Sequence, residues 1–85
     1  MVKEKCLFCF KAISVPARFK IFEYLKDREG EKVTIKELSV LTGLRQPTVT
    51  HHANELARAG LVRKERRGRE TWCLANQICA DCPIF

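Results

Sequence analysis

Residues 34–60 read TIKELSVLTGLRQPTVTHHANELARAG, and the order of helix signals along them decides the fold. Thr34 with Glu37 three residues on has the spacing of a capping box, so a short helix starts there with Ile35, Leu38 and Leu41 as its buried side. Thr42-Gly43-Leu44 ends it, because glycine takes a left-handed turn that other residues adopt only at a cost. Pro47 suits the first turn of a further helix, which runs to Ala59 with Val49, Ala53 and Leu56 at i, i+4 and i+7 and stops at Gly60. Two helices joined by a short glycine turn make residues 34–59 a helix-turn-helix.

Downstream, Leu61 to Arg66 and Arg69 to Ala75 read as two strands joined at Arg67-Gly68, so residues 61–75 form a basic β-hairpin. Val62, Trp72 and Leu74 are expected to pack back on the helices, with Cys73 a bystander on the opposite face. Residues 76–85 form a short tail, helical before Pro83. Upstream, Ser14-Val15-Pro16 separates two helices, since a proline pushes the residue before it out of the α region and itself suits a first turn. Residues 2–13 carry Val2, Cys6, Cys9, Phe10 and Ile13 on one helical stripe, giving an N-terminal helix over residues 1–13. Pro16 to about Lys26 carries Phe19, Ile21, Phe22 and Leu25, and the polar stretch from Asp27 to Lys32 is a loop. The expected fold class is mainly α with a small β-hairpin, as a single domain over residues 1–85.

Composition bounds the function. The chain has 85 residues and a hydrophobic content of 46%, enough for one packed core, and a core this small calls for an extra staple such as a dimer interface or a metal. No apolar run approaches the ~18 residues of a membrane span, and no signal peptide is recognisable, so the expected location is cytoplasmic. A net charge of +6 favours polyanionic partners. Its distribution is more telling: Arg45, Arg58, Arg63, Lys64, Arg66, Arg67 and Arg69 are interrupted only by Glu55 and Glu65. No Ser/His/Asp set, Gly-rich phosphate loop or paired-carboxylate site is visible, so an enzyme is not expected.

At residues 12–76 the chain resembles the ArsR family of winged helix-turn-helix repressors. The resemblance is carried by Ala12-Ile13-Ser14-Val15-Pro16-Ala17-Arg18-Phe19, by Gln46-Pro47-Thr48-Val49-Thr50-His51-His52, and by Leu56-Ala57-Arg58-Ala59-Gly60-Leu61-Val62 before the basic hairpin. It implies a homodimer held by its terminal helices, with the helix after the turn in the DNA major groove and the hairpin wing along the backbone or minor groove. Ala53 stands where the family often has Leu. The segment from Thr34 to Thr42 lacks the cysteines that metal-sensing members carry there.

The residues agree with double-stranded DNA as the partner. With Val49, Ala53 and Leu56 facing inward, Gln46, Thr48, Thr50, His51 and Asn54 are left on the outward or leading face, flanked by Arg45 and Arg58. Gln and Asn can pair with adenine, and Thr can contact a thymine methyl or a phosphate. Arg63, Arg66, Arg67 and Arg69 project from the hairpin toward phosphate. A merely solvated polar face is the competing account of these residues, and its weight falls once turn, helix and basic hairpin occur in series. His51 and His52 diverge by about 100° on a helix and do not suit one metal ion. His51 is assigned to DNA and His52 to partial packing under the turn. A winged-helix module that docks another protein within a transcription complex is the alternative function, and a dithiol oxidoreductase lacks its βαβ setting.

Five cysteines without a secretion signal argue against a disulfide scaffold. Cys6 and Cys9 near the start and Cys79 and Cys82 near the end are two C-x-x-C pairs, expected to share one zinc ion that staples the chain ends. An iron–sulfur cluster, which Cys82-Pro83 would suit, a thiol–disulfide sensor, and plain burial with no metal remain open.

Overall fold

A computed structural model describes residues 4–28 and 30–76, with the backbone alone for residues 4–6. The elements in order are α1 (Glu4–Ala12), α2 (Pro16–Asp27), β1 (Val33–Thr34), α3 (Ile35–Thr42), α4 (Gln46–Arg58), β2 (Val62–Arg67) and β3 (Glu70–Ala75). Local chemistry accounts for the boundaries. Val15 is extended, at φ −84° and ψ 122°, as the residue before Pro16 must be, and α2 starts at that proline. At α3 the Thr34 hydroxyl accepts from the Glu37 backbone N–H at 3.1 Å. The other half of the expected capping box is spent elsewhere, for the Glu37 carboxylate accepts from the Tyr24 hydroxyl of α2. Gly43 closes α3 at φ 72°, and its N–H reaches the Ser39 carbonyl at 2.9 Å. α4 ends on Gly60 at φ 82°, with the Leu61 N–H bonded to the Leu56 carbonyl at 3.0 Å, the Schellman pattern of a glycine-terminated helix.

α2, α3 and α4 enclose one core. Ile21, Phe22 and Leu25 meet Ile35 and Leu38, and the row Val49, Ala53, Leu56 of α4 has no exposed surface at all. The core is closed from below by Val33, Val62 and Cys73 of a three-stranded antiparallel sheet in the order β1-β3-β2, and by Leu61 just before β2. α1 lies against this body through Ala12 and the half-buried Cys9 and Ile13.

The sheet corrects two readings. The loop after α2 contains a strand, since Val33 pairs with Cys73 and Thr34 with Trp72. The faces of the hairpin are also exchanged for three of its residues. The turn is Gly68-Arg69, and the register pairs Val62 with Ala75, Lys64 with Cys73 and Arg67 with Glu70. A two-residue turn pairs even positions of β2 with odd positions of β3, and side chains alternate faces, so Val62 shares the core side with Cys73 and Ala75. Trp72 and Leu74 therefore sit on the other face, with Arg63 and Glu65. Cys73, expected as a bystander, is fully buried, and burial pushes its thiol up to about 11. Trp72 is half-buried, and its indole N–H is covered with no hydrogen-bond partner among the described residues.

Candidate nucleic-acid interface

The buried row of α4 fixes what the rest of that helix presents. At about 100° per residue, His51, Pro47 and Arg58 point away from the core, Gln46, Thr50 and Asn54 follow one flank, and Thr48, Glu55 and His52 follow the other. The flank of Gln46, Thr50 and Asn54 faces the sheet. Gln46 and Thr50 line an open cleft of about 260 Å³ together with Lys36 of α3 and Arg69 and Thr71 of the hairpin. Asn54, the next residue of the row, accepts a hydrogen bond from the Lys64 ammonium of β2. α4 and the wing are thus joined along one side.

The opposite flank is structural. Arg18 of α2 donates from Nε to His52 Nδ1 at 3.4 Å and from Nη1 to the Ala12 carbonyl at 3.3 Å, so it bridges α1, α2 and α4. Burial first, then the Arg18 guanidinium and His51, hold His52 below the usual histidine range. His52 is accordingly a neutral acceptor at pH 7. The His51 ring, its centroid 5.7 Å from that of His52, stays exposed.

Every candidate reader except Thr50 is exposed: Arg45, Gln46, Thr48, His51, Asn54, Arg58, Arg63, Arg66, Arg67 and Arg69. They do not form one cluster. Gln46, Thr50, Asn54 and Arg69 gather on the wing side, whereas Thr48 lies on the α2 flank. Arg58 stands at the far end of α4, paired with Glu55 at 3.4 Å and bordering a hollow with Phe8 and Arg18. On the outer face of the sheet, Glu65 binds Lys32 at 3.0 Å and Arg63 at 3.8 Å. The Lys32 ammonium, by hydrogen bond and charge, keeps that carboxyl below its ordinary range. Arg63 is therefore partly neutralised, and the tip residues Arg66, Arg67 and Arg69 carry the excess charge. Arg66 Nε donates to the Gly68 carbonyl at 3.4 Å, which steadies the tip.

Lys36 and Lys64 were not among the residues the sequence singles out for DNA. Lys36 is visible as a basic residue in the first turn of the first helix of the motif. Lys64 needs the hairpin register to be known first. Of the four cysteines expected to bind metal, only the Cys9 side chain is described; Cys6, Cys79 and Cys82 lie outside the described side chains, as do residues 77–85 of the tail. Cys9 Sγ donates to the Ala59 carbonyl at 3.6 Å. Among the described residues no three metal-ligating side chains converge, and no helix is long and apolar enough to cross a membrane.

With helix, turn, helix and basic hairpin in place, comparison with known proteins is decisive. Residues 13–65 match the profile of a family described as a helix-turn-helix domain. The chain belongs to that family. This helix-turn-helix chain is also 36% identical over 69 residues to an uncharacterized HTH-type transcriptional regulator of Methanocaldococcus jannaschii, covering 81% of the chain and 73% of that relative. It is 35% identical over 60 residues to the transcriptional repressor SdpR of Bacillus subtilis, covering 71% of the chain and 63% of that repressor's length. Its fold is similar to a homodimeric winged helix-turn-helix DNA-binding domain of Mycobacterium bovis, a possible ArsR-family regulator, with a TM-score of 0.73 and 19% identity over 85% of the chain and 64% of that one. The winged helix-turn-helix fold of the ArsR-like resemblance is the fold found. Family and fold are those of DNA-binding transcriptional regulators, which are not enzymes.

Proposed function

We propose that the chain is a sequence-specific duplex-DNA-binding transcriptional repressor. One observation carries the reading: α4 is held by a fully buried row and presents its polar remainder beside an exposed hairpin tip where Arg66, Arg67 and Arg69 outnumber the single acid Glu70. Such a pair places base-reading groups in a major groove and phosphate-binding groups beside it. The likeness to the Bacillus repressor supports repression as the outcome. Titrating random-sequence duplex with the chain over a salt series tests the reading, since contacts to phosphate make affinity fall steeply with salt. Binding to protein partners with no affinity for duplex would favour the interaction module instead.

The working form in this reading is a cytoplasmic homodimer on an inverted repeat, its two α4 helices about one DNA turn, ~34 Å, apart. Exposed apolar side chains on α1 and α2 support it: Leu7 and Phe8 are 62% and 69% exposed, and Phe10 and Phe19 about two-fifths exposed. Sedimentation that returns a monomer at micromolar concentration, with and without DNA, would overturn this. The reading also includes a zinc ion shared by Cys6, Cys9, Cys79 and Cys82, whose four thiolates are a donor set that suits it. Binding would take Cys9 Sγ from the Ala59 carbonyl and require its deprotonation. Metal analysis of protein purified reduced and without chelator decides the point, a stoichiometry near zero leaving a redox pair or burial.

A further inference from the structure

The Lys64–Asn54 contact changes what Asn54 is able to read. A free asparagine suits adenine, because its Oδ1 accepts from N6 while its Nδ2 donates to N7. Here Lys64 leaves β2 on the face it shares with buried Cys73, so its stem starts against the core and its ammonium surfaces beside α4. That ammonium donates to Asn54 Oδ1. An ammonium has donors only, so the amide must turn its oxygen to Lys64 and its NH₂ outward. Glu65, the adjacent acid, points to the other face, where it holds Lys32 and Arg63. The ammonium occupies one of the two lone pairs of Oδ1, so the pair turns mainly donors, the Nδ2 protons and the remaining ammonium protons, toward a base edge. Adenine would bring its N6 amino group toward that ammonium, whereas guanine brings two acceptors, O6 and N7.

We propose that Asn54 and Lys64 form one donor-rich reading unit, on the wing side of α4, that favours guanine over adenine in the major groove. The inference rests on the DNA-binding reading above and deepens it. It also divides the row: Gln46 and Thr50 retain both donor and acceptor, and Asn54 is the end with fixed polarity. Phosphate oxygens are acceptors too, so the test must separate a base reader from a backbone anchor.

Site selection from a randomised duplex pool, run with the full chain, does so. The wild type should enrich guanine at one base pair, and Lys64→Met, by freeing the amide oxygen, should lose about tenfold in guanine-over-adenine discrimination at that pair and no other. Lys64→Arg, which keeps the donors, should retain guanine. Unchanged preference in Lys64→Met overturns the proposal; if affinity also falls alike on all duplexes, with the salt slope lower by ~1, the lysine is a phosphate anchor. Should Lys64→Met fail to match the wild-type circular dichroism, Asn54→Ala replaces it, and guanine preference surviving in that variant is equally fatal. A wild type that binds no duplex at any salt brings down the DNA reading itself, which the other outcomes leave standing.

Discussion

α4 and the hairpin tip are both polar and exposed, yet they are built in opposite ways. α4 is fastened by Val49, Ala53 and Leu56, none with any exposed surface, and by the Arg18–His52 and Lys64–Asn54 contacts on its two flanks. From Arg66 to Glu70 every residue of the tip is exposed. Reading a base edge requires donors and acceptors placed to fractions of an ångström, which a packed helix supplies. Neutralising phosphate requires charge within reach, and an exposed tip supplies that without a packed core beneath it. The division predicts where mutations will alter specificity and where they will alter affinity alone.

The comparison breaks most severely if the fastening of α4 is removed. Leu56→Ala empties a fully buried site and should cost about 2–5 kcal/mol of stability, a large share of what so small a domain has. Chemical denaturation reads the loss, and DNA binding should fall with it; an unchanged unfolding midpoint would mean that α4 is not held by this row. Gln46→Ala should leave the midpoint near wild type and relax choice at particular base pairs by about 1–3 kcal/mol, measured by competition between single-substituted duplexes. Arg67→Ala should act otherwise, lowering affinity for every duplex equally and the salt slope by ~1. If Arg67→Ala changes sequence preference, or Gln46→Ala changes only the slope, the assignment of roles is reversed.

The smallest effect is set by pH. His52 is held low mainly by burial, so the unfolded chain takes up its proton first as pH falls. Stability is then complete above about pH 6.5, the ordinary histidine value, and declines as pH drops toward the folded-state value. Thermal midpoints between pH 7.5 and 5 should show the decline, and His52→Gln should flatten it. A decline of the same size in His52→Gln would move the cause to other groups.

The helical part of the fold was legible because its signals are local: Pro16, the Thr34 cap, Gly43 and Gly60 each act within one turn of the chain. β1 was not legible, for two residues carry no periodicity and Val33–Thr34 becomes a strand only when β3 arrives. The hairpin faces were misjudged by sending the larger apolar residues inward, when turn length had already fixed which face Trp72 and Cys73 take. The site divides along the same line. The exposed row of α4 followed from the inward spacing of Val49, Ala53 and Leu56, but the partner of Asn54 depended on the register of β2 and could not be seen from α4 alone.

β1 also sets an order of events. Val33 meets Cys73 only after the chain between them, which includes all of α3, α4 and β2, has been brought back on itself. α3 and α4 are neighbours in the chain and meet across a short turn, whereas this pairing closes a long loop and carries the entropy of doing so. The two-residue strand is therefore a clasp between the segment before α3 and the wing, and hydrogen exchange at the amide it bonds to β3 would report when that clasp is closed.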